Sequence, residues 1–198
     1  MAESQRETRE KLLEGVREEF LARGFEKASL RRICAGAGVT TGAVYFLFQN
    51  KEDLFEQIVA DTAERITRLG RELALAELEE PDTGPDCDLR LMAFLYRRRK
   101  EVLLLLEKSQ GTRYAGFREE LYAQMRRAFS RFFRRYGAGE LDPELIRILV
   151  EMRMKGNLEL LKGEYTMERV LELTRLTGLY ADGGFRRLIA ERKTEHRD

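Results

Sequence analysis

The stretch "GVTTGAVYFLFQNKEDLF", residues 38–55, decides the fold of this chain. A glycine turn precedes two threonines and a run of small residues, which is typical of a short helix that starts directly after a tight turn. The residues from Thr41 to Val44 are small enough for the helix backbone to approach another molecule closely. A second short helix, at about Leu30 to Ala35, precedes the turn. The two helices together predict a helix-turn-helix, with a generic helical cluster as the alternative.

Capping signals place further helices on both sides of this stretch. Apolar residues recur at helical spacing up to Arg23, and Gly24 is expected to end that first helix. Polar residues suited to N-cap positions precede the next three helices: Ser29, Thr40 or Thr41, and Asn50. The last of these helices is long and covers residues 51–79. The amino-terminal region therefore reads as three helices followed by a long connecting helix.

Positive charge is concentrated around the same stretch. The chain as a whole carries 36 lysines and arginines against 35 aspartates and glutamates, so its formal net charge is only +1. Between Arg23 and Lys51, however, five basic residues occur with a single glutamate, Glu26. Threonine hydroxyls, the Tyr45 phenol and the Lys51 ammonium group are donors that suit phosphate oxygens. The distribution predicts a local contact with DNA and excludes a globally basic nucleic-acid binder.

The remainder of the chain also reads as helical. It has three prolines, no alternating β-branched segments, and a clear break at "PDTGPD", residues 81–86. The helices predicted beyond the break cover about 87–108 with an interruption near residue 97, 114–136, 142–162 and 166–194. "ADGGF", residues 181–185, is expected to interrupt the last of them. We predict an all-α fold: a DNA-binding domain over 1–50, the connecting helix over 51–79, and a second helical domain within 51–198.

One predicted helix of the second domain is apolar around most of its circumference. It contains "RILVEMRMKGNLELL", residues 147–161. Such a helix requires two packing partners, one within its own domain and one elsewhere. The pattern therefore indicates dimerisation through this region.

The sequence lacks the side chains on which most catalytic and metal sites depend. Its only histidine is His196, and it has neither a phosphate-binding glycine motif nor a nucleophile elbow. We therefore expect no enzyme activity, no metal site and no cofactor. No apolar run approaches the roughly 20 residues that span a bilayer, and the first ten residues contain no apolar signal segment. Together with only two cysteines, these features lead us to expect a cytoplasmic protein.

The amino-terminal residues closely resemble the TetR family of bacterial transcription regulators. The resemblance covers about Thr8 to Ile58, through "TREKLL", "ARGF", "RRI", "GAGVTTGAVY" and "NKEDLF", and the spacing of these elements is the spacing of the family. It implies a three-helix DNA-binding domain, a long connecting helix, and a larger helical domain that forms homodimers and binds a small-molecule effector. In the family, the last two long helices commonly pair across a two-fold axis.

The resemblance also implies specific DNA contacts. By position they are Ser29 and Arg31 on the supporting helix, Thr40, Thr41, Gly42, Ala43 and Tyr45 on the recognition helix, and Lys51 on the connecting helix. The chain departs from the family in two places. Thr41 stands where the family frequently has lysine, and Phe46 with Leu47 stands where the family commonly has a polar or basic pair. Fewer hydrogen bonds to DNA are then available, and recognition relies more on methyl groups and on DNA shape. Whether Phe46 and Leu47 contact DNA or pack internally is left open.

The effector site has a weaker signal. The aromatic and methionine stripe of the helix at 114–136 suits a core, and part of it is expected to line a cavity. Asn157, Arg113 and Tyr114 carry polar groups that would orient a ligand. The candidate ligand-binding residues are Phe94, Arg113, Tyr114, Phe117, Met125 and Asn157.

These observations favour a homodimeric, ligand-responsive regulator of transcription, more specifically a repressor, acting on a pseudo-palindromic operator. Two other classes remain open. One is an architectural DNA-binding protein without an effector, and the other is a helical protein-interaction module. Replacing Tyr45 and Lys51 would severely impair DNA binding by an architectural protein and would leave an interaction module unaffected. The sequence does not identify the operator, the effector or the regulated genes, and it leaves activation open beside repression.

Overall fold

The protein is built from helices. The computed structural model describes residues 2–136 and 139–195, apart from the side chains of residues 2–8, Ala37, Ala43, Phe46, Leu47 and Glu195. The helices in these ranges are α1 (Ala2–Lys27), α2 (Leu30–Ala37), α3 (Thr41–Leu47), α4 (Lys51–Glu79), α5 (Gly84–Arg97), α6 (Arg99–Glu107), α7 (Phe117–Tyr136), α8 (Pro143–Lys162) and α9 (Met167–Glu195). No strand occurs in the described ranges, which confirms the all-α prediction. No helix there is both long and apolar enough to cross a membrane.

The described chain packs as two compact units, of which the first carries the helix-turn-helix. It comprises the residues up to Arg65 together with Arg98–Arg118. Its centre is aromatic: the ring of Phe20 lies 5.8 Å from that of Phe25 and 5.2 Å from that of Phe55, measured between centroids. These rings pack the end of α1 against the start of α4. Large aromatic side chains contribute most of the apolar area in a small core, so this packing stabilises the unit.

The segment Arg98–Arg118 is part of this first unit although it lies far along the chain. The Phe25 backbone amide donates a hydrogen bond to the Lys108 carbonyl oxygen at 3.0 Å. The Lys100 ammonium nitrogen lies 2.6 Å from a carboxylate oxygen of Glu18, a residue 82 positions earlier. Local sequence patterns do not predict a pair of residues so far apart along the chain. The helix-turn-helix is therefore supported from behind by α6 and the loop that follows it.

The second unit comprises Ile66–Arg97 and the chain from Glu119 onward. A cluster of buried side chains from α7 and α8 forms part of its core, and Phe185 of α9 packs against it. The Phe185 ring centroid lies 5.4 Å from that of buried Phe133. The stripe predicted on α7 faces this cluster through Met125 and Phe129. Its main role in the fold is thus packing.

Asn50, one of the predicted capping residues, forms its capping bond, and Asp142 forms one at the start of α8. Asn50 Oδ1 accepts a hydrogen bond from the Asp53 amide at 2.9 Å, and Asp142 Oδ1 accepts one from the Glu144 amide at 2.8 Å. Ser29 does occupy the N-cap of α2 with an extended backbone, but its hydroxyl makes no capping bond. The N-cap position was thus predicted correctly for Ser29, whereas its side-chain interaction was not.

The predicted chain breaks had mixed outcomes. Gly24 has φ 74° and ψ 164°, so the helical geometry of α1 is interrupted where the sequence indicated. The interruption near residue 97 is also confirmed, since Arg98 separates α5 from α6. The expected interruption at 181–185 is wrong, because α9 runs without a break from Met167 to Glu195. Phe185 lies in this stretch, and its packing on the aromatic cluster offsets the propensity cost of the neighbouring glycines.

Candidate nucleic-acid interface

Helices α2 and α3 are joined by a tight turn at Gly38. This glycine has φ 67° and ψ 26°, a left-handed conformation that costs glycine little, and the Val39 amide donates to the Cys34 carbonyl oxygen at 3.0 Å. Cys34 and Val44 are both buried, so each helix is anchored by its inner face. The turn therefore fixes the angle at which α3 leaves α2, as a helix-turn-helix requires.

The opposite face of α3 is open. Thr40, Thr41 and Gly42 are exposed, and Tyr45 has 55% of its surface accessible, against 1% for the adjacent Val44. Among the side chains that the structure describes, a methyl group added to Gly42 would come near one atom, the Thr40 hydroxyl oxygen at 4.0 Å. Packing within the protein therefore does not require glycine at this position, and the backbone of α3 is accessible to a partner.

Three sequence-based predictions fall outside the described side chains. They concern Ala43 as a DNA contact, and Phe46 with Leu47 as either DNA contacts or core residues.

Helix α2, the supporting helix, contains two arginines, and they differ in their ion pairs within the described residues. Arg31 is exposed and makes no ion pair within the described part of the chain, whereas Arg32 lies 2.8 Å from a carboxylate oxygen of Glu19. Ser29 is half-buried, and its backbone amide donates to the same Glu19 oxygen at 3.1 Å. Arg31 is thus the residue of α2 with a charge available for phosphate.

Glu19 is a positioning residue that sequence reasoning missed. Burial acts to raise the pKa of its carboxyl, but the hydrogen bonds from the Arg32 guanidinium and the Ser29 amide outweigh burial and lower this pKa. The ionised carboxylate holds the first turn of α2 against α1. The spacing of Glu19 and Arg23, four positions apart, was the only local signal, and it resembles an ordinary surface pair.

Lys51 has a structural task within the protein. Its ammonium nitrogen donates to the carbonyl oxygens of Phe25 at 2.8 Å, Glu26 at 3.2 Å and Ala28 at 3.4 Å. It also lies 4.5 Å from the centre of the Phe25 ring. The carbonyl groups of Phe25 and Glu26 lie in the last turn of α1 and that of Ala28 directly follows it, so Lys51 adds a charged donor to the acceptors at this helix end. A contact between Lys51 and phosphate stays a prediction, and it would compete with these bonds.

The six candidate ligand-binding residues divide between the two units. The first unit contains Arg113, Tyr114 and Phe117, and the second contains Phe94, Met125 and Asn157. Arg113 forms an ion pair with Glu56 at 2.6 Å.

Tyr114 packs its ring 6.3 Å from that of Phe55, and burial raises the pKa of its phenol, as does the charge of Glu56. Arg113 and Tyr114 are therefore engaged with α4. The other four are placed as follows: Phe117 is buried at the start of α7, Met125 packs on the α7–α8 cluster, and Phe94 and Asn157 are half-buried on α5 and α8.

Comparison with known proteins assigns the helix-turn-helix. Residues 12–58 match the family model for bacterial regulatory proteins of the tetR family. Residues 12–58 thus form a DNA-binding domain of the tetR type. Among curated relatives, the HTH-type transcriptional repressor BepR of Brucella suis is 45% identical over 53 residues, which are 27% of this chain and 25% of BepR. The repressor AcnR of Corynebacterium glutamicum is 34% identical over 89 residues, 42% of this chain and 47% of AcnR. The chain thus spans about a quarter to a half of these relatives.

Solved structures of this TetR-family fold extend the likeness to nearly the whole chain. A transcriptional regulator from Aquifex aeolicus has a TM-score of 0.58 at 24% identity, and the match covers 88% of this chain and 98% of that protein. NalD of Pseudomonas aeruginosa, described as the secondary repressor of the MexAB-OprM multidrug efflux pump, has a TM-score of 0.56 at 22% identity, over 90% of this chain and 96% of NalD. At these identities the likeness shows the fold alone.

Proposed function

We propose that this protein is a ligand-responsive transcriptional repressor of the TetR family that binds a pseudo-palindromic operator as a homodimer. The observation that carries the proposal is the open face of α3, where Thr40, Thr41, Gly42 and Tyr45 are exposed while Val44 anchors the helix. Small residues let the backbone enter the major groove, and the hydroxyl groups bind phosphates or base edges. That BepR and AcnR are repressors favours repression.

The structure refines which residues we expect to touch DNA. Arg31 and Tyr45 come first, because both are exposed on the helix-turn-helix. Ser29 would contact phosphate through its hydroxyl, which makes no capping bond. Lys51 ranks lower, since its ammonium group already serves three carbonyl oxygens.

Homodimerisation is supported by the surface of the second unit. Ile148 and Met152 on α8, and Leu176, Leu179 and Tyr180 on α9, are large apolar side chains left exposed in the single chain. Apolar side chains grouped on two adjacent helices are typical of an interface. Two copies related by a two-fold axis would present their recognition helices to half-sites about one helical turn, roughly 34–36 Å, apart. An effector that binds in the second unit would act by changing this separation.

The test is enrichment of a random duplex library on the purified protein at near-physiological salt. We expect an inverted repeat to be recovered. With that operator, Tyr45→Ala should weaken binding about tenfold or more, and Arg31→Gln should reduce the dependence of log K on log salt by about one unit, since it removes one phosphate contact. Arg127→Gln is the matched control, because Arg127 is an exposed arginine of α7.

Other outcomes would each remove a different part of the proposal. Binding without enrichment of any sequence would replace the regulator with an architectural protein. Absence of binding, with Tyr45→Ala indistinguishable from the unmodified protein, would favour a protein-interaction module. An enriched single half-site with no repeat would exclude the symmetric dimer.

A further inference from the structure

An open groove lies between α5 and α9 in the second unit. It has a volume of about 460 Å³ and is lined by Leu89, Arg90, Ala93, Leu171, Glu172 and Arg175. This volume is within the range of small-molecule sites, roughly 300–1,000 Å³. Each helix contributes residues at positions i, i+1 and i+4, so the groove follows the line along which the two helices run beside each other.

Two contacts of α5 lie on either side of this open groove. On one side Gly178 of α9 lies against α5, where a methyl group on this glycine would come within 3.1 Å of Asp88 Oδ2. On the other side the Tyr96 hydroxyl donates a hydrogen bond to the carbonyl oxygen of Tyr165, which lies just before α9. The numbering rises along α5 as it falls toward the start of α9, so the helices are antiparallel. Asp88 and Tyr96 are eight residues apart on α5, which corresponds to about 12 Å of helix.

Two arginines line this groove, one from each helix. Because the helices are antiparallel, Arg90 and Arg175 come to the same level, near Gly178. Both are exposed, and neither forms an ion pair among the residues that the structure describes. Their methylene stems extend the apolar walls, while the guanidinium groups stay at the rim.

Two acidic residues of this region have other partners. Glu172, which also lines the groove, lies 2.6 Å from the guanidinium of Arg169. Asp88, beside Gly178, forms an ion pair with Arg153. Arg90 and Arg175 therefore supply the positive charge of the lining, and Leu89, Ala93 and Leu171 supply its apolar surface.

From this arrangement we infer that the groove binds an amphipathic anion, with a carboxylate held between Arg90 and Arg175 and an apolar tail along Ala93 and Leu171. Guanidinium groups bind carboxylates by paired, charge-assisted hydrogen bonds. The tail would extend from the level of Arg90 to that of Tyr96, six residues or about 9 Å of α5, which suits a medium-chain acid. The inference concerns binding to the second unit and does not depend on the DNA-binding proposal.

The experiment is isothermal titration calorimetry of the full-length protein with decanoate, in the absence of DNA. We expect saturable binding of one decanoate per chain. Arg90→Gln together with Arg175→Gln should weaken it about tenfold or more, since each lost charge-assisted hydrogen bond costs about 1.5 kcal/mol or more. Ala93→Leu, which fills part of the groove, should weaken it without changing the charge. Arg127→Gln is the control and should leave the affinity unchanged.

Decanol has the same tail and no charge. For the same reason, it should bind at least about tenfold more weakly than decanoate. Circular dichroism of each variant establishes that it is folded. Absence of saturable decanoate binding, equal affinity for decanol, or equal affinity of the double variant would overturn the inference. A double variant that changes its molecular mass in sedimentation equilibrium would show that the groove is an interface between two copies, which would also overturn it.

Discussion

Lys51 shows how one side chain serves the local fold. Its ammonium group bonds the carbonyl oxygens that end α1 and covers the Phe25 ring. We predict that Lys51→Met lowers the free energy of unfolding by about 2 kcal/mol, because a charge-assisted donor is lost and the acceptors it satisfied are left half-buried. Lys27→Met removes an exposed charge close by and should change the stability by less than about 0.5 kcal/mol.

Urea titration followed by circular dichroism measures both variants. Equal stabilities would show that water satisfies the carbonyl groups as well as Lys51 does. In that case the lysine would be free to bind phosphate, and its proposed rank among the DNA contacts would rise.

Glu77 is a half-buried glutamate whose contribution to stability depends on pH. Burial raises the pKa of its carboxyl, and the nearby Arg153 guanidinium only partly opposes this rise. A raised pKa in the folded state means that the stability associated with Glu77 is fully present below its ordinary pKa and is lost as the pH rises through the raised value. Arg153 retains Asp88 as its partner when Glu77 is replaced.

We therefore predict that Glu77→Gln raises the melting temperature at pH 7 and that the gain disappears toward pH 4. Thermal melts at several pH values measure this difference. Glu79→Gln, at an exposed position of the same helix, is the control and should give no pH-dependent gain. A variant that is less stable than the unmodified protein at pH 7 would show that Glu77 is needed to hold Arg153.

At the scale of elements, α9 tests how tertiary packing overrides local propensity. Gly183 and Gly184 lie inside the unbroken helix, and a methyl group on either would meet no atom of the described residues within 4 Å. Gly184→Ala should therefore stabilise the protein by about 0.5–1 kcal/mol, through lower backbone entropy in the unfolded chain. Gly178→Ala should be less stable than Gly184→Ala, because its methyl group would press on Asp88, which Arg153 holds in place.

Chemical denaturation of the two alanine variants provides the comparison. A loss of stability in Gly184→Ala would mean that this part of α9 is covered by another molecule in solution. Equal gains in both variants would mean that α5 moves away from α9 without cost.

The same elements show what the sequence could and could not predict. Asn50 and Asp142 bond amides only two or three residues away, so their capping roles follow from local chemistry. Lys51 reaches carbonyl groups up to 26 positions earlier, and Lys100 pairs with Glu18 across 82 positions. Contacts at such separations depend on the packed fold. The continuity of α9 was missed for the same reason, since Phe185 packs on rings of α7.

The same difference between local and long-range contacts applies to the candidate DNA interface. The turn and the small residues of α3 follow from a short stretch of sequence, and the structure shows that Thr40, Thr41 and Tyr45 are accessible. The positive charge predicted for this region is partly used internally, because Glu19 pairs with Arg32 and Lys51 caps α1. Counting charges in a window cannot distinguish a free arginine from a paired one.

At the scale of the whole molecule, the exposed apolar side chains of α8 and α9 support the proposed dimer. Met152 is 56% exposed and Tyr180 is 77% exposed in the single chain. A two-fold interface would bury each substituted residue twice, and desolvating an unpaired charge costs several kcal/mol per ion. We therefore predict that Met152→Glu converts a dimer into monomers.

Leu75→Glu provides the matched control, because Leu75 is 55% exposed but lies on α4. Sedimentation equilibrium measures the mass of both variants. If Leu75→Glu dissociates the protein and Met152→Glu does not, the interface involves α4 in place of α8. The operator recovered from the library adds a second readout, since a monomer can hold only one half-site and must lose most of the affinity that two linked recognition helices provide.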